Sequence, residues 1–351
     1  MKLPLYSKAA ILTEQRKPLV VDDIILPKTL FYGQVFVKVH YSGICGSQIG
    51  EIDGVKGEDK YLPHLLGHEG SGTVIKIGDG VKTVKEGDTV ILHWRRGEGI
   101  ESPTPLYSFK GSQVNAGWVT TFNNYSVVSE NRITRVDNDL DLVTAPLLGC
   151  ALTTGFGVIQ NDAKLNIGES IVIFGSGGIG LSMIQAAKLR GAYPIIAIDQ
   201  FDGRLSLAKD HGADFIINSS SEVDIKTTIS SLIKNNLDVF IDNTGVPEIM
   251  QLGYELINKF GRLILVGVPR YDKKLTIHTL PLHFGKVISG SEGGACSPAL
   301  DIPKFSNLIK FNQLNIKSQV TKICNLIDIN DAISDMKSGK ANGRIIIELN
   351  D

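Results

Sequence analysis

The sequence predicts an α/β chain in which a doubly wound parallel sheet is inserted into a discontinuous, strand-rich domain. Over residues 35–129, short β-branched runs are cut by glycine, as in VFVKVHYSG, GSGTVIKIGDG, GDTVILHW and VTTFNNYSVVS. That is the texture of an antiparallel barrel or sandwich. From Ser170 onward, buried-type strands alternate with helical stretches, which calls for a parallel sheet flanked by helices. Beyond that series, residues 302–311 and 329–337 read as helices and GRIIIEL as a strand of the first texture, so the chain returns to the domain in which it began. At 351 residues it also exceeds the size at which a single core keeps growing. The expected boundaries are residues 1–152 and 293–351 for the strand-rich domain and 153–292 for the insert.

Within the insert the strands are SIVIF, PIIAID, DFIIN, LDVFID and RLILVG, with KVISGS as a sixth. The helices between them are IGLSMIQAAKLRG, GRLSLAKDHG, a stretch ending near Asn235, and EIMQLGYELIN. No internal repeat or low-complexity tract interrupts the pattern.

Composition narrows the function. With 36 Lys and Arg against 37 Asp and Glu, the net charge of -1 gives no electrostatic footprint for nucleic acid or an anionic membrane. A small-molecule partner is expected instead. No run of about 18 apolar residues spans a bilayer, and MKLPLYSKAAILTEQRKPL lacks the apolar stretch of a signal peptide, so a cytoplasmic location is expected. Cys45, Cys150, Cys296 and Cys324 are widely separated. In a reducing compartment such cysteines serve as ligands, nucleophiles or core filler rather than as disulfides.

SIVIF runs directly into Gly175-Ser176-Gly177-Gly178-Ile179-Gly180, followed by a helical stretch. This is GxGxxG in its strand–turn–helix context, with glycines for the tight turn, for backbone approach to a pyrophosphate and for close helix packing. Asp199 closes the next strand, where a carboxylate accepts the ribose hydroxyls of an adenine dinucleotide. In the strand-rich half, Cys45 and Ser47 lie in GICGSQIG, and His68 and Glu69 in LLGHEGSG. Cysteine and histidine suit zinc, but spacing alone does not separate ligands from a buried thiol and a loop histidine. His64 precedes His68 by four, yet Pro63 and Gly67 exclude a helical ligand pair.

Together GICGS, GHEGSGTV, the GDTVI turn, LLGCALTTG, the glycine loop with Asp199, and LILVGVP resemble the zinc-dependent medium-chain alcohol dehydrogenases, in order and over essentially the whole chain. The resemblance implies a GroES-like β-barrel domain with an inserted Rossmann domain. It also implies an enzyme that transfers hydride between NAD and an alcohol, polyol or sugar alcohol, giving the aldehyde or ketone. The zinc ligands implied are Cys45, His68 and Cys150, with Ser47 taking the proton of the alcohol and Glu69 a carboxylate beside the metal. Thr154 and Val268 match positions around the nicotinamide, and Thr244 is a further cofactor contact. Arg204 matches a basic residue beyond Asp199, and Arg344 a phosphate contact. A homo-oligomer, dimer or tetramer, is expected.

The chain departs from the family in several places. RRGEGIESPTPLYSFKGSQVNAG lacks the four cysteines that hold a structural zinc in many members, so one catalytic ion is implied. Gln48 stands where an Asp commonly orients the ligand histidine, and its amide oxygen is expected to accept the same hydrogen bond. Gly50 replaces a relay histidine. His93 and Trp94 fall where pocket residues are expected, and Arg95 and Arg96 either greet an anion or form a solvated basic turn. Cys296 and Cys324 read as structural thiols. Two rival functions remain at this point: a zinc-free quinone or enone reductase of the same superfamily, and a dinucleotide-binding protein without turnover.

Overall fold

The computed structural model describes residues 4–234 and 236–349, so the expected helix end at Asn235 lies outside the described residues. The chain divides into two compact units, Met1–Cys150 with Ser297–Asp351, and Ala151–Cys296.

The first unit opens with β1 (Tyr6–Leu12), β2 (Val20–Ile25) and β3 (Gln34–Gly43), then α1 (Gly46–Ile52). There follow β4 (His64–Leu65), β5 (Glu69–Ile77), β6 (Thr89–His93), β7 (Leu106–Phe109), β8 (Ser112–Asn115), β9 (Tyr125–Ser129) and β10 (Ile133–Arg135). Strands β1, β2, β7, β8 and β4 close a small barrel. The β1–β2 hairpin lies ahead of the region whose texture marked the strand-rich half. Its strands carry Lys8, Asp22 and Asp23, and Lys8 pairs with Asp23 across the ladder at 2.9 Å. The cysteine-free stretch between Trp94 and Trp118 supplies the β7–β8 hairpin and so forms part of the barrel wall.

The second unit begins with α2 (Ala151–Gly157) and continues β11 (Ile171–Phe174), α3 (Gly178–Leu189), β12 (Ile195–Asp199), α4 (Asp202–Asp210) and β13 (Phe215–Asn218). Then come α5 (Ile225–Ile233), β14 (Leu237–Asp242), α6 (Pro247–Leu256), β15 (Ile257–Leu265) and β16 (Val287–Gly290). All six strands are parallel, in the order β13-β12-β11-β14-β15-β16. Central β11 is buried at every position, as the unbroken apolar run IVIF requires of a strand covered on both faces. Strand order reverses between β11 and β14, and the open ends of the strands at such a switch point form a ligand crevice.

The chain then returns to the first unit through α7 (Pro298–Lys310), β17 (Val320–Asn325), α8 (Ile329–Lys337) and β18 (Arg344–Glu348). β18 pairs antiparallel with β3 through Ile346↔Gly43, Ile347↔Ser42 and Glu348↔Tyr41, and β17 runs parallel beside it. Helix α8 buries Ile329, Ala332 and Ile333, spaced as one helical face, in the same core as Val35, Val37, Val39 and Leu92. Both ends of the sequence therefore build one core. No helix among the described residues is long and apolar enough to cross a membrane.

Helix α3 meets β11 where an ideal Cβ on Gly180 would sit 2.2 Å from the Gly175 carbonyl oxygen. Gly180→Ala forces backbone to move and is expected to lower the unfolding free energy by about 1–3 kcal/mol. Gly177→Ala, whose Cβ would have nothing within 4 Å, is the control with little change. Urea titration followed by circular dichroism compares the two, and equal midpoints would contradict the packing described.

Candidate metal centre and dinucleotide loop

In the first unit, three segments bring Cys45, His68 and Cys150 together. Cys45 is the extended residue that starts α1, and His68 immediately precedes β5. Cys150 follows a short 3-10 turn, Ala145–Gly149. Only glycine fits at the end of that turn, because a Cβ on Gly149 would lie 2.4 Å from the Leu92 carbonyl oxygen and 3.0 Å from Glu69 Cα. This close approach carries Cys150 to the start of β5. The two Sγ atoms stand 4.0 Å apart, and one ligand atom from each of the three residues lies within 4.8 Å of the others. His68 Nε2 is buried and makes no hydrogen bond.

That donor set fits a zinc ion. Two thiolates bonded at about 2.3 Å to a tetrahedral ion stand about 3.8 Å apart, close to the spacing seen, and the orphaned imidazole nitrogen could supply a third ligand and leave a fourth position open. The hydrogen bond from Cys150 holds the Cys45 thiol well below its ordinary range despite burial, with Arg344 and His68 pulling the same way. Sharing that bond pushes Cys150 well up. Burial disfavours a charged His68, but the adjacent Cys45 more than reverses this and raises it.

Glu69 is fully buried beside this cluster. Arg344 Nε lies 3.2 Å from Glu69 Oε1, Nη2 donates to Oε2 at 3.4 Å, and Nη1 donates to the Ile44 carbonyl at 2.9 Å. The register explains it: with Ile346 opposite Gly43 and the Ile44 N–H bonded to Ile345 O at 3.1 Å, Arg344 arrives alongside Cys45. The expectation placed it at a phosphate; here its donors are directed at Glu69 and the Ile44 carbonyl. Ser47 is exposed on the first turn of α1, two residues from Cys45. Gln48 also differs from expectation. Its buried Oε1 accepts the Gly67 N–H and so holds the segment carrying His68 by its backbone rather than by its ring.

His93 is a clamp inside the fold. Nδ1 faces the Arg95 carbonyl at 2.7 Å, Nε2 faces Thr134 Oγ1 at 2.9 Å, and burial pushes its pKa down to about 4. Arg95 stacks over Trp94 at 5.5 Å, and Arg96 pairs with Glu101 at 3.4 Å. The basic pair is thus occupied within its own turn.

In the second unit the residues expected at a dinucleotide, Thr154 in α2 apart, lie near the ends of β11, β12, β14 and β15. Gly175 adopts φ +100°, and Gly177 caps α3, whose first turn holds Gly178, Ile179 and Gly180. A Cβ on Gly175 would touch Thr244 Cγ2 at 3.2 Å, and one on Gly245 would strike the Val268 carbonyl at 2.4 Å, so loop, Thr244 and Val268 share one edge of the sheet. Asp199 accepts the Ser176 N–H at 2.8 Å and the Phe201 N–H at 3.1 Å, with Arg204 Nη1 3.7 Å away. Thr154 lies in α2 with its hydroxyl buried and without a hydrogen bond. Sequence reading missed Asp242. Fully buried at the end of β14, it accepts the Thr244 N–H at 3.0 Å, the Thr244 hydroxyl at 2.5 Å and the Gly245 N–H at 3.0 Å. Burial raises it above the usual carboxylate range. The only signal was a carboxylate ending the apolar run LDVFID.

Comparison with known proteins follows the same division. Residues 32–138 match the alcohol dehydrogenase GroES-like domain and residues 178–311 the zinc-binding dehydrogenase family. The S-(hydroxymethyl)glutathione dehydrogenase of Paracoccus denitrificans is 28% identical, over 97% of this chain and 99% of the relative. That of an Escherichia coli O1:K1 strain is 29% identical, over 95% and 98%. Among solved structures, an alcohol dehydrogenase zinc-binding domain protein from Burkholderia ambifaria superposes with a TM-score of 0.89 at 26% identity, covering 99% of both chains. The benzyl alcohol dehydrogenase of Acinetobacter calcoaceticus superposes at 0.88 and 27%, covering 98% of this chain and 99% of that one.

Two predictions follow from the first unit. Arg344→Leu strands a buried carboxylate and is expected to lower stability by about 3–5 kcal/mol, with partial recovery in the Glu69→Gln, Arg344→Leu double variant; urea midpoints that stay at the wild-type value would refute this. His93, held neutral when folded, contributes stability that is complete above its ordinary value of 6.5 and is lost as pH falls toward about 4. Between pH 7 and pH 4.5, His93→Gln is expected to lose about 2–3 kcal/mol less stability than wild type. Parallel pH profiles for the two proteins would show that His93 is not the titrating group.

Proposed function

The chain belongs to the zinc-dependent medium-chain alcohol dehydrogenase family, and from this premise we propose an enzyme that moves hydride between NAD and an alcohol, polyols and sugar alcohols included, at one tightly held zinc ion. It is an oxidoreductase of the alcohol dehydrogenase kind. The observation that carries the zinc reading is the meeting of two thiol sulfurs and an orphaned imidazole nitrogen within 4.8 Å.

Cys45, His68 and Cys150 would hold the ion and leave one coordination position for substrate. Zinc there supplies Lewis acidity, and NAD supplies the hydride acceptor. Ser47 would take the hydroxyl proton and pass it to solvent, a role its exposure on the first turn of α1 allows. Glu69 and Arg344 would act as a balanced pair, keeping a carboxylate close to the thiolates without unpaired charge. In the second unit the N–H groups of the glycine loop and the start of α3 suit a pyrophosphate, Thr154 and Val268 would line the nicotinamide, and Thr244 would be a further cofactor contact. Asp199 would accept the adenosine ribose hydroxyls and repel a 2′-phosphate, with Arg204 beside it only partly offsetting that charge. Four cysteines outside any disulfide suit a cytoplasmic enzyme, and a homo-oligomer is our expectation for its assembly.

Elemental analysis of the desalted protein is expected to give one zinc per chain. Cys150→Ala should lose that zinc and turnover while still binding NAD, and Ser47→Ala should keep the zinc and lose roughly 10²–10⁴ in kcat. NAD should exceed NADP in kcat/KM by about 100-fold or more. Full turnover by Cys150→Ala would sink the metal reading; equal use of both cofactors would sink the role of Asp199.

A further inference from the structure

We propose that Glu51, Asp59 and His64 form a second, weaker seat for a divalent transition-metal ion, made of residues the first centre does not use. Glu51 lies near the end of α1, Asp59 in the segment after it, and His64 opens β4. One ligand atom from each lies within 4.8 Å of the other two. His64 Nε2 is 2.7 Å from Asp59 Oδ2 and 3.7 Å from Glu51 Oε1, and the His64 and Asp59 side chains are only 8% and 10% exposed.

The hydrogen bond on the far side of the ring fixes the chemistry. His64 Nδ1 faces the Leu65 carbonyl at 2.9 Å, and a carbonyl can only accept, so Nδ1 carries the proton. With Nδ1 engaged there, Nε2 is the ring nitrogen that faces the two carboxylates, and three atoms able to bind a metal converge. No lysine or arginine among the described residues forms an ion pair with either carboxylate. A backbone carbonyl holding one ring N–H while the other nitrogen turns to the metal is the usual arrangement of a ligand histidine. An ion bonded at about 2.1 Å to both atoms with a right angle between its bonds sets them about 3.0 Å apart, so Asp59 has only to step back by about 0.3 Å.

The ligand set also separates the two centres. Two carboxylates and an imidazole suit manganese, cobalt or zinc, whereas thiolates strongly prefer zinc. An ion here would tie the end of the helix that begins at Cys45 to the strand that leads to His68.

The test is a Mn²⁺ titration of the enzyme purified with its zinc, with free Mn²⁺ counted by electron paramagnetic resonance. Saturation at one Mn²⁺ per chain, reversed by added Zn²⁺, is expected. Glu51→Gln and His64→Gln should each weaken binding by about tenfold or more, since even outer-sphere partners of metal ligands contribute that much. The Glu51 side chain is 41% exposed and its replacement isosteric, so that variant folds. Absence of saturable binding would overturn the proposal, as would equal binding by Glu51→Gln. So would a His64 ring that keeps both protons in ¹⁵N spectra with Mn²⁺ present, because the second proton would then be the cation.

Discussion

A guanidinium from the final strand makes it possible to bury a carboxylate beside two sulfurs. Glu69 is fully buried and Arg344 nearly so. An isolated ion of either kind would be expelled or neutralised, because the interior repays desolvation only when charges are paired and hydrogen-bonded. Together they fix three places at once: the backbone just before Cys45, the start of β5 next to His68, and the register of β18 on β3. The candidate metal cluster occupies the corner where those three meet. Its geometry therefore depends on a pair whose members are 275 residues apart.

The second unit applies the same device chiefly with backbone donors. Asp199 gathers the N–H groups of Ser176 and Phe201, and Asp242 gathers those of Thr244 and Gly245. Each carboxylate ends a parallel strand and organises the turn that follows. Loops so braced keep a fixed shape on a rigid sheet, and precise sites require that support.

Much of this was legible because it is local. The glycine loop, its strand and its helix lie within one stretch, and the alternation of buried strands with helices survives in the sequence as composition and period. GICGSQIG, LLGHEGSG and LLGCALTTG each mark their candidate ligand by neighbouring glycines, and Gly149 shows why, since any side chain there would collide with Leu92 and Glu69. What escaped was long-range or too short to have a period. Helix α1 is 7 residues, beneath the length at which an apolar face shows. The strands β1 and β2 carry Lys8, Asp22 and Asp23, charges that hid their pairing. The role of Arg344 is set by strand register, and Glu51, Asp59 and His64 meet through an irregular segment whose path no motif announces.

The discontinuity of the first unit imposes an order on biosynthesis. The second unit is contiguous and can close on itself as it leaves the ribosome, whereas β18 is interior to its sheet, between β3 and β17, and is made after the whole of that unit. At translation rates of about 5–20 residues per second, Glu69 waits some tens of seconds for its counter-ion. Throughout that interval residues 41–43 keep an unpaired strand edge, the kind of surface on which nascent chains associate wrongly. The second unit is thus able to mature before the first, and the arrival of β18 is the event that completes the sheet to which β3 belongs.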